Sequence, residues 1–427
     1  MSKFIPLSER EYGPLGPKSA EAIRKIKKYG ATNYEPYPFV VAKAEGAWLM
    51  DPDGNTALDF LAGYSSILEH QLYPVVCAVL NEMSVGSDLT SRAVYSVRFA
   101  EFAELVAQLT GYDRVHPKSD GGSATDSAIS GLLMHGHARG IKEPEVILTK
   151  DYFHGRAWIF GSNAYFDPDQ SFRRSPRAPG VVVVGDSIEA VEAAIGPNTV
   201  GIFIETHKGE GGPIFSTKEH YMGLRNLARD NNIFFGTDEI QTGLGRCGYM
   251  MAWQEFGEEA RPDFVTLGKA LGGGIIPVSA VVGTEEFMRV FIPNSDGSTF
   301  GGYPIACAAA CASLRYIVNN QIPEAAKRIG NYFVEKLQGL HPRIGVENKG
   351  ALIRVELHGI KTAKHACLEM LVGKNRNPRV FMKQGHYNAE KDIAYTRIAP
   401  PIGAMTKELI DMALEKTIIP VLLDALK

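Results

Sequence analysis

A chain of 427 residues with 45 Lys and Arg against 48 Asp and Glu, 45% hydrophobic and 22% charged, has an ordinary globular composition and length enough for two or three domains. It is neither disordered nor collagen-like, and a net charge of −3 with no long Lys/Arg block argues against nucleic acid as a partner. Its apolar stretches fall well short of the ~20 residues that a membrane span needs.

In chain order, the opening Met1-Ser2-Lys3-Phe4-Ile5-Pro6 carries neither the apolar core of an export signal nor an Arg- and Ser-rich amphipathic run. The expected location is the cytoplasm. Residues 48–60 read as a hairpin turned at Pro52-Asp53-Gly54. From about residue 90 to residue 290, short β-branched runs alternate with helix-period segments, the pattern of a βαβ sheet. Strands are predicted at 146–149, 181–184, 200–205, 233–237, 264–267 and 278–282, each nearly continuously apolar, as strands buried on both faces are. Helices are predicted at 187–194, 218–231 and 284–291, then at 305–320 and 325–340. The last hundred residues mix a strand at 351–356 with helical sequence at 407–426 and read as a smaller α+β domain. Cys77, Cys247, Cys307, Cys311 and Cys367 are odd in number and irregularly spaced, so reduced thiols are expected.

Three predicted strands end in polar residues: Glu205, then Asp238-Glu239, then Gly268-Lys269. Ligands of open α/β sheets sit beyond the carboxyl ends of strands, and glycine-rich loops follow each of these ends: Gly209-Glu210-Gly211-Gly212, Gly243-Leu244-Gly245 and Gly272-Gly273-Gly274. The bland alternative is that these are solvated strand-end charges. A lysine among small residues suits a Schiff base to a carbonyl cofactor, because the amine is partly desolvated and a planar ring can lie against the backbone. Asp238 would then keep the pyridine nitrogen of pyridoxal phosphate protonated, so that the ring accepts the electron pair of a broken bond. Asp120-Gly121-Gly122-Ser123, where a strand at 114–117 gives way to a helix near Ala124, offers backbone amides to the phosphate. Gly297-Ser298-Thr299 is a second donor segment, and Phe153 is placed to stack on the ring.

Two decoys fall away. Gly243-Leu244-Gly245-Arg246-Cys247-Gly248 fits the dinucleotide fingerprint literally but does not pass directly from a strand into a helix. Gly268-Lys269 is no phosphate-binding P-loop, since Asp263 and Ala270 occupy positions that need Gly and Ser or Thr. His135, His137, Cys307 and Cys311 lack a second ligand pair at zinc spacing and are read as packing residues.

Thr237-Asp238-Glu239-Ile240-Gln241-Thr242-Gly243, Leu267-Gly268-Lys269-Ala270-Leu271-Gly272-Gly273-Gly274 and Gly297-Ser298-Thr299-Phe300-Gly301-Gly302-Tyr303-Pro304 together resemble the class III aminotransferases of the fold-type I pyridoxal-phosphate enzymes. Within that family the chain is most similar to ornithine δ-aminotransferases, from about Gly30 onward. The resemblance implies an α/β fold whose large domain holds a mostly parallel seven-stranded sheet flanked by helices. It implies an N-terminal segment, residues 1–65, contributing to a small domain and a dimer interface, a large cofactor domain at 66–310, and a small domain at 311–427. By position it implies Lys269 as the Schiff-base lysine, Asp238 at the ring nitrogen, Gln241 near the 3-hydroxyl and Phe153 on the ring face. Gly121 and Gly122 would bind the phosphate, joined by Ser298 and Thr299 from the other subunit of a homodimer.

The resemblance extends to the substrate shell. Tyr34 and Tyr64 match tyrosines around the substrate's α-end, and Arg156 and Arg397 match arginines that hold carboxylates, a task suited to a planar fork. Glu210 resembles the glutamate that pairs with the second of these arginines when a terminal amine is bound. The implied reaction moves the terminal amino group of ornithine or a similar amine to 2-oxoglutarate in a ping-pong cycle. Acetylornithine and 4-aminobutyrate aminotransferases, racemases, decarboxylases and specialised variants on the same scaffold share the cofactor residues. The chain departs from the family at Ser123, Asp126, 130–133, Thr206 and Leu68-Glu69-His70-Gln71, around the phosphate loop and the site entrance.

Overall fold

The computed structural model describes residues 6–87, 89, 92–160, 178–210 and 212–427. Most of the opening segment read for targeting, and Gly211 of the first glycine-rich loop, lie outside them. The chain divides into two compact units, one running from Leu72 to Glu324 and the other made of the residues up to Gln71 together with Ala325–Lys427.

The larger unit is built on seven strands: β1 (Arg114–Lys118), β2 (Glu145–Thr149), β3 (Val181–Val184), β4 (Thr199–Glu205), β5 (Phe234–Asp238), β6 (Phe264–Leu267) and β7 (Ser279–Gly283). Their order across the sheet is β1-β7-β6-β5-β4-β2-β3. The central run from β6 to β3 is parallel, while β7 runs antiparallel to both β6 and β1. All residues of β4, β5, β6 and β7 are buried, which is why their sequences do not alternate.

One face of the sheet is covered by the helix Gly121–Ala138, whose Ala124, Ala128, Ile129 and Leu132 are fully buried in a core that includes Phe203, Phe234, Phe264 and Phe287. Phe264 and Phe287 stack at 3.9 Å with 13° between their planes. Each such ring or aliphatic chain contributes about 1.5–3 kcal/mol by leaving water. Gly236 makes this packing possible, because a Cβ there would stand 2.0 Å from the Phe264 ring. The helix begins at Gly121, three residues before the position predicted, because Asp120 caps it: its side chain accepts from the Ser123 amide at 3.0 Å, and the Ser123 hydroxyl accepts from the Asp120 amide at 3.2 Å. Helices Tyr73–Ser84, Val97–Thr110 and Pro304–Asn319 pack on one another in the same unit.

The smaller unit holds two four-stranded sheets. In the first, Lys43–Glu45, Trp48–Met50 and Thr56–Asp59 form an antiparallel meander, joined by Arg379–Phe381 parallel to Thr56–Asp59. The predicted hairpin is the second and third of these strands. In the second sheet Ile344–Lys349, Leu352–His358, Ile393–Ile398 and Lys383–Asn388 are antiparallel in that order. The helical sequence near the C-terminus runs from Lys407 to Ala425 with a wider π turn over Leu414–Ile418. No helix among the described residues is long and apolar enough to cross a membrane.

Candidate active site

The parallel register of β4 and β5 sets Glu205 directly beside Asp238, and Asp238 lies opposite Thr266 of β6. Lys269 follows two residues after β6, at φ +46°, in the left-handed region. A residue with a β-carbon there stores about 1–2 kcal/mol of strain, a common price at working positions of an active site. A tight turn over Lys269–Gly272 then carries the chain away, with the Leu271 amide donating to the Gly268 carbonyl at 2.9 Å.

The acidic side chains at these strand ends are buried. Asp238 accepts from the Ile240 amide at 3.0 Å and from His154 Nδ1 at 3.1 Å. The imidazole is fixed between Tyr152, stacked at 6.2 Å, and Phe203 at 4.6 Å. Glu205 accepts from the amides of Phe153 at 2.8 Å and Gly209 at 3.1 Å. Burial and the neighbouring Asp238 push its carboxyl up to about 8, against the pull of those two amides and of Lys269. Burial likewise raises Glu239 to about 7, even though the amides of Trp253 and Ala252 and the Thr206 hydroxyl donate to it. Thr206, one of the departures from the family pattern, is thus used inside the site's own framework.

The phosphate-loop candidate interlocks with the segment bearing Phe153. Thr125 donates to the His154 carbonyl at 2.8 Å, and a Cβ on Gly155, which sits at φ +101°, would come within 3.3 Å of the Gly122 α-carbon. The first amides of an 18-residue helix point outward with no helical acceptor, which suits an anion. Ile240 fills the space beneath: a Cβ on Gly121 would meet it at 3.0 Å, and one on Gly268 at 3.3 Å.

These elements enclose a cavity of about 200 Å³ lined by Gly121, Gly122, Phe153, His154, Gly155, Glu205, Asp238, Ile240, Gln241 and Lys269. Six residues given cofactor roles from the sequence meet here: Gly121, Gly122, Phe153, Asp238, Gln241 and Lys269. Gln241 also reaches Glu210, donating at 3.4 Å, and the Arg156 guanidinium lies 5.7 Å over the Phe153 ring. Ser298 and Thr299 are exposed on the same unit and do not line the cavity. Tyr34, Tyr64 and Arg397 belong to the smaller unit. There the buried Arg397 lies 5.5 Å from the Tyr64 ring centre, and Lys383 donates to the Tyr64 hydroxyl at 2.9 Å. Tyr64 sits in a run of left-handed residues, Ala62 to Ser65, and together with Tyr34 lines a cavity of about 410 Å³ within that unit. His70, another departure, bonds the buried Asp59 at 2.9 Å.

His154 and Glu205 were not assigned roles from sequence. His154 was visible in Phe153-His154-Gly155-Arg156, and Glu205 as a strand-end acid, but their contact with Asp238 and its loop follows from sheet register. Among the described residues no cluster of three or more His, Cys, Asp or Glu could hold a metal ion.

The donor set fits pyridoxal phosphate. The cavity's lining brings together three glycines, the Phe153 ring, Ile240, an acid, an amine and the N-terminus of a long helix. Asp238 would hold the ring nitrogen, Lys269 the aldehyde carbon, and Gly121 and Gly122 the phosphate.

Comparison with known proteins identifies the family. The family described as aminotransferase class-III matches residues 29–418. An ornithine aminotransferase from a Geobacillus species is 37% identical over 410 residues, covering 93% of this chain and 98% of its own. The crystal structure of ornithine aminotransferase from Toxoplasma gondii superposes with a TM-score of 0.85 at 28% identity, covering 96% of each chain. A second structure of that enzyme, TM-score 0.84 and 29% identity over 95% of this chain and 94% of its own, is described with partial occupancy of pyridoxal phosphate at the active site.

Proposed function

The chain belongs to the class-III aminotransferases, and from that premise we propose that it moves the terminal amino group of ornithine, or of an ornithine-like amine, to 2-oxoglutarate. The observation that carries this reading is the convergence of Lys269, Asp238 and the glycine-walled helix start on one cavity. Pyridoxal phosphate is the cofactor, and when bound it supplies an electron sink for the pair left at the carbon that loses a proton.

The protein's side chains do the rest. Asp238, oriented by His154 and the Ile240 amide, would hold a proton on the ring nitrogen. Lys269 is the amine lining the cavity and would be the base that takes a proton from the reacting carbon. Glu205, keeping its own proton, anchors the Phe153 and Gly209 amides without placing a second anion beside Asp238. Arg397 offers a planar fork to a substrate carboxylate, and Glu210 is positioned through Gln241 to answer the opposite charge of an amine. The two half-reactions use one site in turn, hence ping-pong kinetics.

The reading includes a homodimer with shared sites. Tyr73, Leu80, Met83, Val85, Val94, Tyr95 and Val97 form a large set of exposed apolar side chains on the larger unit, and Ser298 and Thr299 stand exposed near Phe300, itself 53% exposed. It also includes a cytoplasmic location, supported by five free cysteines. Mixing purified protein with ornithine should shift the bound cofactor's visible band, and adding 2-oxoglutarate should restore it while glutamate accumulates. Lysine, acetylornithine and 4-aminobutyrate serve as competitors. No spectral change with ornithine, with a change for one of the others, would reassign the donor.

A further inference from the structure

The loop that carries Ser298 and Thr299 is exposed from Gly297 to Phe300, yet it leaves a buried ionic cluster. Lys118 Nζ donates to Asp296 Oδ1 at 3.0 Å and to the Gly297 carbonyl at 3.4 Å, and His116 Nε2 bonds Asp296 Oδ2 at 3.1 Å. His116 and Lys118 are both 6% exposed, and the imidazole stacks on Phe291 at 4.7 Å and 19°. On the far side of the loop the Gly301 amide donates to Ser298 Oγ at 2.9 Å, and Gly301 and Gly302 press on Pro117, leaving no room for side chains.

We propose that Asp296 is a positioning residue: gripped by Lys118 and His116, it fixes the loop that presents Ser298 and Thr299 to the cofactor phosphate of the neighbouring subunit. The inference rests on the aminotransferase reading above and on those two hydroxyl residues serving the phosphate. Burying a lysine beside a carboxylate adds little net stability, so such a cluster is better explained by the geometry it imposes. Strand β1 is a rigid member of the sheet, and the cluster transfers that rigidity across residues 296–297 to a segment with few other ties. The charge balance also suits the task. Asp296 would repel a phosphate dianion if it stood alone, but Lys118 cancels it, and His116 adds a further donor. Burial raises the Asp296 carboxyl, but the hydrogen bonds with His116 and Lys118 outweigh it and hold the group well below the usual carboxylate range, so the grip persists throughout the neutral range.

The test uses full-length apoenzyme titrated with pyridoxal phosphate and, separately, with phosphate-free pyridoxal, following the visible band. Asp296→Asn should raise the dissociation constant for pyridoxal phosphate about tenfold, as loss of a charge-assisted contact does, and that for pyridoxal less than about twofold. In a Ser298→Ala/Thr299→Ala background the same substitution should have no further effect. Equal weakening of both ligands, or full additivity in that background, overturns the proposal. Should Asp296→Asn fail to fold, Lys118→Gln is read by the same criteria. If the Ser298→Ala/Thr299→Ala protein itself binds pyridoxal phosphate normally, the assignment of those residues to phosphate has failed. If it binds weakly while Asp296→Asn binds normally, the failure is that of the Asp296 grip alone.

Discussion

Gly209→Ala separates folding from cofactor binding more cleanly than any change to a charged residue. A β-carbon at position 209 would stand 1.5 Å from Gln241 Oε1 and 2.6 Å from its Cδ. The backbone cannot yield, because the Gly209 amide is held by Glu205 at 3.1 Å and the preceding residue, Lys208, exchanges two backbone bonds with Ile214. The Gln241 amide must therefore retreat about 1.9 Å to regain ordinary contact at 3.4 Å. A rotamer change of a flexible side chain is cheap for the fold, so the melting temperature should stay within about 2 °C of wild type. The hydrogen bond that the proposed placement gives Gln241 with the ring's 3-hydroxyl would be lost, at about 1–1.5 kcal/mol or roughly tenfold in pyridoxal phosphate affinity. Titration of the apoprotein should show Gly209→Ala matching Gln241→Ala, with the double variant no weaker than either. Wild-type affinity in Gly209→Ala would refute the placement of Gln241.

Arg397→Lys replaces a buried fork by a point charge and should raise KM for 2-oxoglutarate about 10- to 100-fold while kcat changes little; an unchanged KM would remove Arg397 from the carboxylate site. Glu205 holds its proton to about pH 8 in the folded protein but releases it near 4.5 when unfolded, so its stabilising contribution is complete below 4.5 and is lost as pH rises to 8. Glu205→Gln cannot ionise, and the melting temperature of the variant minus that of wild type should therefore climb between pH 5 and pH 8; parallel curves would show that Glu205 is ionised throughout. Gly236→Ala forces a methyl group to within 2.0–2.5 Å of the Phe264 ring at the centre of the sheet and should cost about 1–3 kcal/mol, read as a melting temperature several degrees lower.

The legible part of the fold is the part where burial is complete. β4 and β6 were visible as continuous apolar runs because both faces of a parallel sheet are covered, and the polar residue closing β4 marked where solvent or ligand begins. Helices Tyr73–Ser84 and Val97–Thr110 were not predicted. They carry exposed Tyr73, Leu80, Met83 and Val97 in addition to a buried face, so the apolar stripe that betrays an amphipathic helix is blurred by a second one. The strand Arg379–Phe381 was equally hidden, since it exists only through pairing with Thr56–Asp59 more than three hundred residues earlier. The early start of the helix at Gly121 was missed because two glycines argue against helix, and only the reciprocal Asp120–Ser123 cap overrides them.

At the site, sequence supplied the reactive groups and sheet register supplied their electrostatics. Asp238 and Lys269 could be named from their strand ends, but which carboxyl stays charged depends on neighbours that no local motif contains. Glu205 and Asp238 are adjacent across β4 and β5, and two buried anions so placed cannot both ionise cheaply. Glu205 shares its environment with two backbone amides and keeps its proton at neutral pH, whereas Asp238 has His154 as a side-chain donor. At neutral pH Glu205 therefore adds no second anion beside Asp238. Replacing His154 by a residue unable to donate would remove the side-chain hydrogen bond that orients Asp238. The unassigned histidine of Phe153-His154-Gly155-Arg156 thus orients the acid that shares a cavity with Lys269.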